Sequence, residues 1–115
     1  MDKFKEIIDT YFLNYDLYEN GKVELDCDYG ELIILKGNTN MLTLFGIYIN
    51  PEYRQQGFCK SIIHYLIEKS KSRFKFILIE SVMSKILYEY LLRFEYENKK
   101  FKLIKKGFLY KIESY

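Results

Sequence analysis

The chain of 115 residues has no tryptophan, one proline, one histidine and two cysteines. Each scarcity removes a class of explanation. Cys27 and Cys59 are too few for a disulfide framework or a thiolate metal set, and a reducing, cytoplasmic setting is the simplest reading. With His64 as the sole histidine and no clustered ligands, no metal site is expected. No apolar run reaches the roughly 18 residues that mark a membrane span. Met1-Asp2-Lys3-Phe4-Lys5-Glu6 has acidic residues and no long apolar core, so no signal peptide is expected. Proline is scarce, and no linker, repeat or low-complexity tract breaks the chain. Residues 1–115 are therefore read as a single domain.

Hydrophobic residues make up 49% of the chain, enough for one core at this length. A net charge of +2 hides an asymmetry. Residues 1–31 carry nine acids against three lysines, and the remainder carries fifteen bases against seven acids. A basic half suits a polyphosphate ligand or nucleic acid, and equally a solvated surface.

Phe4, Ile7, Ile8, Tyr11, Phe12 and Tyr15 recur at helical spacing, which predicts an amphipathic helix from residue 2 to about residue 18. Asn20-Gly21 ends it. Lys22 to Cys27 alternates apolar and charged residues as a half-buried strand does. A second strand, Glu31 to Lys36, follows the turn at Asp28-Tyr29-Gly30. A third, Leu42 to Ile49, follows the turn at Gly37-Asn38-Thr39-Asn40. Gly46 inside that strand suggests a bulge. Phe58 to Lys71 reads as a helix that buries Phe58, Ile62, Ile63, Leu66 and Ile67 and turns His64 to solvent. Phe74 to Ile79 is a continuous apolar run, expected to be a central strand covered on both faces and parallel to Leu42–Ile49. Ser81 to Phe94 reads as a second long helix, with Met83, Ile86, Leu87, Tyr90, Leu91 and Phe94 inward and Ser81 or Ser84 as cap. Two short strands, about 99–105 and 107–113, close the chain as a hairpin around Lys106-Gly107. The expected class is α+β with a mixed sheet, in the order α-β-β-β-α-β-α-β-β.

The chemistry concentrates where Leu42–Ile49 turns into the following helix, at Asn50-Pro51-Glu52-Tyr53-Arg54-Gln55-Gln56-Gly57-Phe58-Cys59-Lys60. The first N–H groups of a helix have no partner within it, and its dipole places partial positive charge there. A glycine lets an anion approach the backbone. Arg54-Gln55-Gln56-Gly57-Phe58-Cys59, preceded by Ile47-x-Ile49-x-Pro51-x-Tyr53, resembles the acyl-CoA pyrophosphate loop of the GNAT superfamily of N-acetyltransferases, (Gln or Arg)-x-x-Gly-x-(Gly or Ala). The resemblance covers roughly residues 42 to 112. The first forty residues carry little of it and suggest a shortened N-terminal part.

The resemblance implies a GNAT-like acyl-CoA N-acyltransferase fold, with acetyl-CoA as co-substrate and an amine of a small molecule or protein as acceptor. The strands at 42–49 and 74–79 would splay apart. Pantetheine would lie along Ile47, Tyr48 and Ile49, and the pyrophosphate on the amides of Gln55 to Lys60, with Arg54 beside it. Cys59 departs from the family's Gly or Ala. A thiol at a helix N-terminus has in principle a lowered pKa, yet no Cys/His/Asp arrangement supports a nucleophile there. Thiolate protonation falls in this family to a tyrosine on the second helix. The count lands on Leu91, leaving Tyr88 and Tyr90 as candidates, or as plain core or surface aromatics. Glu80 is the best-placed base, or a carboxylate answering the helix dipole.

Two other functions stay open. One is a non-catalytic GNAT-like module that binds CoA or other proteins, the kind of trimmed chain a virus or mobile element could carry. The other is nucleic-acid binding by Lys99, Lys100, Lys102, Lys105 and Lys106 with Phe101 and Phe108. Strand alternation accounts for that last pattern without nucleic acid. An exposed terminal strand permits pairing into a homodimer.

Overall fold

The computed structural model describes residues 2–37, 40–80, 85–104 and 107–111. Its elements are α1 (Asp2–Leu13), β1 (Gly21–Cys27), β2 (Gly30–Lys36), β3 (Met41–Ile49), α2 (Phe58–Ser70), β4 (Phe76–Ile79), α3 (Lys85–Glu97), β5 (Phe101–Ile104) and β6 (Gly107–Lys111). The order is the one read from the sequence. The six strands form one sheet in the order β1-β2-β3-β4-β6-β5. Among the described strands only β3 and β4 run parallel, joined through α2, as a helical crossover requires.

Cross-strand partners share a face, so the register sorts the side chains. Val23, Ile34, Leu44, Ile79 and Phe108 lie in one row across the sheet. All are buried, as are Phe4, Ile8 and Tyr11 of α1, Ile62, Ile63 and Leu66 of α2, and Leu91 of α3. Three helices thus cover one face. Asp9 ties α1 to α2, accepting from Tyr65 Oη at 2.5 Å and pairing with Lys69 at 3.1 Å. Phe94 of α3 stands edge-on to Phe101 at 4.8 Å.

Three expectations are corrected. α1 stops at Leu13, not near residue 18. Asn14 Nδ2 donates to the Thr10 carbonyl at 3.1 Å beside its own backbone N–H at 3.0 Å, and the chain tightens into a 3-10 turn at Tyr15–Leu17. Tyr15 still packs inward, 5.7 Å from Tyr11 and 5.5 Å from Phe74. α3 runs on to Glu97 and leaves Ile86 74% exposed, because its buried stripe is centred on Leu91. β4 is central but has helices over one face only, and Phe76 and Leu78 on the other are half-buried. Ser81, Met83, Ser84, Lys105 and Lys106 lie outside the described residues, so the expected cap and hairpin turn do too.

Phe101 and Phe108 are buried and stack at 5.1 Å with an interplanar angle of 6°. Neither can offer a face to a nucleic-acid base.

Two backbone features position the site. The β2–β3 register slips where Ile33 faces Gly46 and Ile34 faces Leu44, so Phe45 is a surplus residue in β3. This is the bulge that Gly46 suggested. The β3–β4 ladder runs from Met41–Phe76 to Leu44–Ile79, and Glu80 N–H donates to the Leu44 carbonyl at 2.9 Å. Past the bulge, Gly46 to Ile49 keep β2 as partner but none in β4. The two strands part there, as the resemblance implied.

Gly30 starts β2 where the turn passes under β3. A Cβ there would lie 1.9 Å from the Tyr48 carbonyl oxygen. Gly30→Ala is expected to destabilise the fold by about 1–3 kcal/mol, read as a lower urea midpoint at unchanged m-value.

Candidate active site

Where β3 leaves β4, its backbone becomes available. Asn50 N–H donates to the Tyr29 carbonyl at 2.8 Å, which fixes the alternation along the β2–β3 ladder. Tyr48 then bonds toward β2, and the N–H and C=O groups of Ile47 and Ile49 turn toward the opening. Arg54 Nε donates to the Ile49 carbonyl at 2.8 Å, and its guanidinium lies 5.3 Å from the Tyr48 ring centre.

The loop is held from behind by aromatic rings. Tyr53 packs 4.6 Å from Tyr29, and Tyr29 lies 5.2 Å from Phe58. Phe58 reaches Phe4 of α1 at 6.1 Å. Phe58 is therefore half-buried at the rim of the core, not inside it as the sequence suggested. Pro51–Tyr53 makes one 3-10 turn. Gln55 and Gly57 then take positive φ values of 62° and 78°. Left-handed residues in a tight loop gather N–H groups into an anion-binding concavity. Gly57 is the N-cap of α2, no side chain caps that helix, and its first turn holds no acid. The unpaired amides of its first turn keep their capacity for an outside acceptor.

A cavity of about 700 Å³ lies between this loop and α3. Every expected cofactor residue except Gln56 lines it: Ile47, Tyr48, Ile49, Arg54, Gln55, Gly57, Phe58, Cys59 and Lys60. Gln56 instead donates from Nε2 to the Glu52 carbonyl at 3.4 Å. Ile86, Leu87, Tyr90 and Arg93 close the far wall. Among the described residues the lining holds three cations, Arg54, Lys60 and Arg93, and no carboxylate. Such a lining favours a polyanion.

Of the three expected catalytic residues, only Tyr90 lines the cavity. Its hydroxyl lies 3.0 Å from His64 Nε2. His64 is exposed, as its place on α2 suggested, but it is not idle: its ring stands edge-on to Phe94 at 5.6 Å. Burial, and then the Glu97 charge, push the Tyr90 pKa up against the opposing pull of Arg93. Tyr90 therefore holds its proton at neutral pH. Tyr88 lies two residues, about 200°, away around the helix, and its ring packs 5.7 Å from Phe108 under the sheet. Glu80 is half-buried at the end of β4 and does not line the cavity. Burial pushes the Cys59 thiol up, the reverse of what a helix N-terminus alone would do. No group of histidines, cysteines and acids that could hold a metal occurs among the described residues. None of the described helices is long and apolar enough to cross a membrane.

Sequence reasoning missed His64, Arg93 and the outward role of Ile86. The signal for two of them was present: Ile86, Tyr90 and Arg93 repeat at i, i+4 and i+7, one face of α3. Beside it runs the inward stripe of Leu87, Leu91 and Phe94. The His64–Tyr90 contact joins two helices and has no local signature.

No protein-family model matches the sequence, and no curated protein matches it either. Solved structures do match. An Escherichia coli N-acetyltransferase of a ribosomal-protein alanine aligns over 90% of this chain and 77% of its own, with 15% identity and a TM-score of 0.59. A Bacillus subtilis acetyltransferase in complex with CoA aligns over 95% and 93%, with 13% identity and a TM-score of 0.53. A GNAT family acetyltransferase from Elizabethkingia anophelis with acetyl-CoA bound aligns over 95% and 82%, with 15% identity and a TM-score of 0.51. The fold of this chain is that of the GNAT acetyltransferases.

Proposed function

We propose that the chain is an acetyl-CoA-dependent N-acetyltransferase acting on a primary amine of a small molecule or protein. One observation carries this: the uncapped N-terminus of α2 opens on a cation-lined cavity, free of acids among the described residues, at the parting of β3 and β4. Acetyl-CoA would supply an activated acyl carbon. The chain supplies the rest. The amides of Gly57 to Lys60, with Arg54 and Lys60, hold the diphosphate. The turned-out backbone of Ile47 and Ile49 orients the pantetheine. An N–H on the same edge meets charge as it develops on the thioester oxygen. As the amine nitrogen bonds to the acyl carbon, the carbon–sulfur bond breaks and Tyr90 gives its proton to the departing sulfur. His64 returns a proton to Tyr90, taken in turn from solvent. The amine's own proton leaves through water, since none of the described lining residues is a carboxylate.

The lack of a carboxylate among the described lining residues favours a second reading, a GNAT-like module that binds CoA without turning it over. Two measurements divide the readings. Acetyl-CoA at 100 times its dissociation constant is expected to add about 2.7 kcal/mol of stability, a rise in melting temperature on the order of 10 °C. Free thiol should then accumulate with at least one member of an amine panel. A melting shift without thiol would leave the binding module standing, and no shift at all would end both readings.

A further inference from the structure

A proton donor at Tyr90 uses one residue of the far wall and leaves the charge of that wall without a task. Tyr90 and Arg93 share one face of α3, and both line the cavity. Side chains three positions apart on a helix start about 5–6 Å from each other. Burial and the Glu97 charge raise the Tyr90 pKa and Arg93 opposes them, so its guanidinium lies within electrostatic reach of the hydroxyl. Glu89 and Glu97 stand one turn to either side of Arg93 on α3. Neither claims it: Arg93 is exposed and makes no ion pair among the described residues. The other two cations of the lining are placed differently. Arg54 is tied to the Ile49 carbonyl, and Lys60 belongs to the first turn of α2, beside the amides that would take the diphosphate. Arg93 is on the opposite wall, next to the group that would meet the sulfur. A planar guanidinium with unclaimed N–H groups matches a carboxylate, which it can hold through two parallel hydrogen bonds.

We propose that Arg93 selects the acceptor, and that the acceptor is a free amino acid whose carboxylate pairs with the Arg93 guanidinium while its nitrogen faces the thioester. This rests on the acyl-transfer reading and names the substrate class within it. The spacing on α3 sets the size. With the sulfur at the Tyr90 hydroxyl, the carboxylate should stand within about 6 Å of the nitrogen. α-, β- and γ-amino acids meet that limit. The carboxylate stays ionised and takes no part in the transfer. The nitrogen bonds to the acyl carbon, the carbon–sulfur bond breaks, Tyr90 gives its proton to the sulfur, and the surplus proton on nitrogen leaves to water. Arg93 thus acts by holding one end of the acceptor, which lowers KM for acceptors that carry the charge.

Thiol release with two matched series of acceptors tests it. One series is α-, β- and γ-amino acids. The other is amino alcohols of the same lengths, whose amines are of similar basicity but whose far end is neutral. In the natural chain kcat/KM is expected to be about 10- to 100-fold higher for the amino acids, the usual worth of a hydrogen-bonded charge. Arg93→Gln should erase that preference through KM, with kcat retained, and should leave the amino alcohols where they were. Arg93→Lys should keep part of it. Because Arg93 is exposed, Arg93→Gln should melt as the natural chain does without ligand, and it should keep most of the melting shift with acetyl-CoA. Equal rates for the two series, or a preference that survives Arg93→Gln, overturn the proposal and leave acyl transfer standing. So does loss of the acetyl-CoA shift in Arg93→Gln, since the guanidinium would then hold the phosphates of CoA. Thiol from neither series, with that shift intact in the natural chain, ends the proposal and leaves the binding module.

Discussion

Acetyl-CoA should no longer raise the melting temperature once Gly57 is replaced by glutamate. Gly57 is the N-cap of α2, and a Cβ built there meets nothing within 4 Å, so the new side chain has room. The cost to the fold is limited to the backbone: at φ 78° an L-residue loses about 1–2 kcal/mol. The cost to the site is larger. A carboxylate there would cap the helix from within, occupy the amides meant for the diphosphate and repel its charge. The ligand-induced shift, on the order of 10 °C in the natural protein, should shrink to nothing. Gly57→Ala carries the same backbone strain without the charge and should keep most of the shift. If Gly57→Glu still responds as the natural protein does, the diphosphate is held elsewhere.

Tyr90→Phe is expected to lower the rate of thiol release by about 10²- to 10⁴-fold, the usual worth of a placed proton donor. The melting shift with acetyl-CoA should survive, because the hydroxyl faces His64 and not the Arg54–Lys60 loop. Loss of kcat with KM retained separates a proton donor from a packing residue. Raised by burial, the Tyr90 pKa should put the alkaline limb of the natural chain's pH–rate profile above the ordinary tyrosine value of about 10. That limb should vanish in Tyr90→Phe. Tyr88→Phe, under the sheet beside Phe108, should leave the rate nearly unchanged. Equal losses in both variants would mean the tyrosines act through packing.

The element order was legible because each element carries its own period. Val23 and Leu25 alternate against Lys22, Glu24 and Asp26, and Ile62, Ile63 and Leu66 repeat at helical spacing. The loop was legible because Gly57 stands between a strand and a helix, where few other uses exist for it. Failures came where distance in the sequence hides nearness in space. Tyr90 and His64 are 26 positions apart and meet only because α2 and α3 lie side by side. The apolar run Phe76 to Ile79 was read as covered on both faces, since an unbroken apolar run does not say which face the helices leave bare. Cys59 was assigned the pull of the helix dipole, but the depth of its burial, which decides the matter, has no signature in six residues of loop.

The surplus Phe45 has a consequence for how this pocket could be lost. Striking that one residue from the chain would leave Leu42, Leu44, Ile47 and Ile49 on the side they already occupy, since the alternation resumes unbroken through Gly46. No core side chain need change sides. Yet the outward bend would go, and the straightened backbone could zip along its parallel neighbour and shut the entrance. The opening is thus a removable irregularity in an otherwise regular ribbon: a single codon separates an open cavity from a closed one with the same interior.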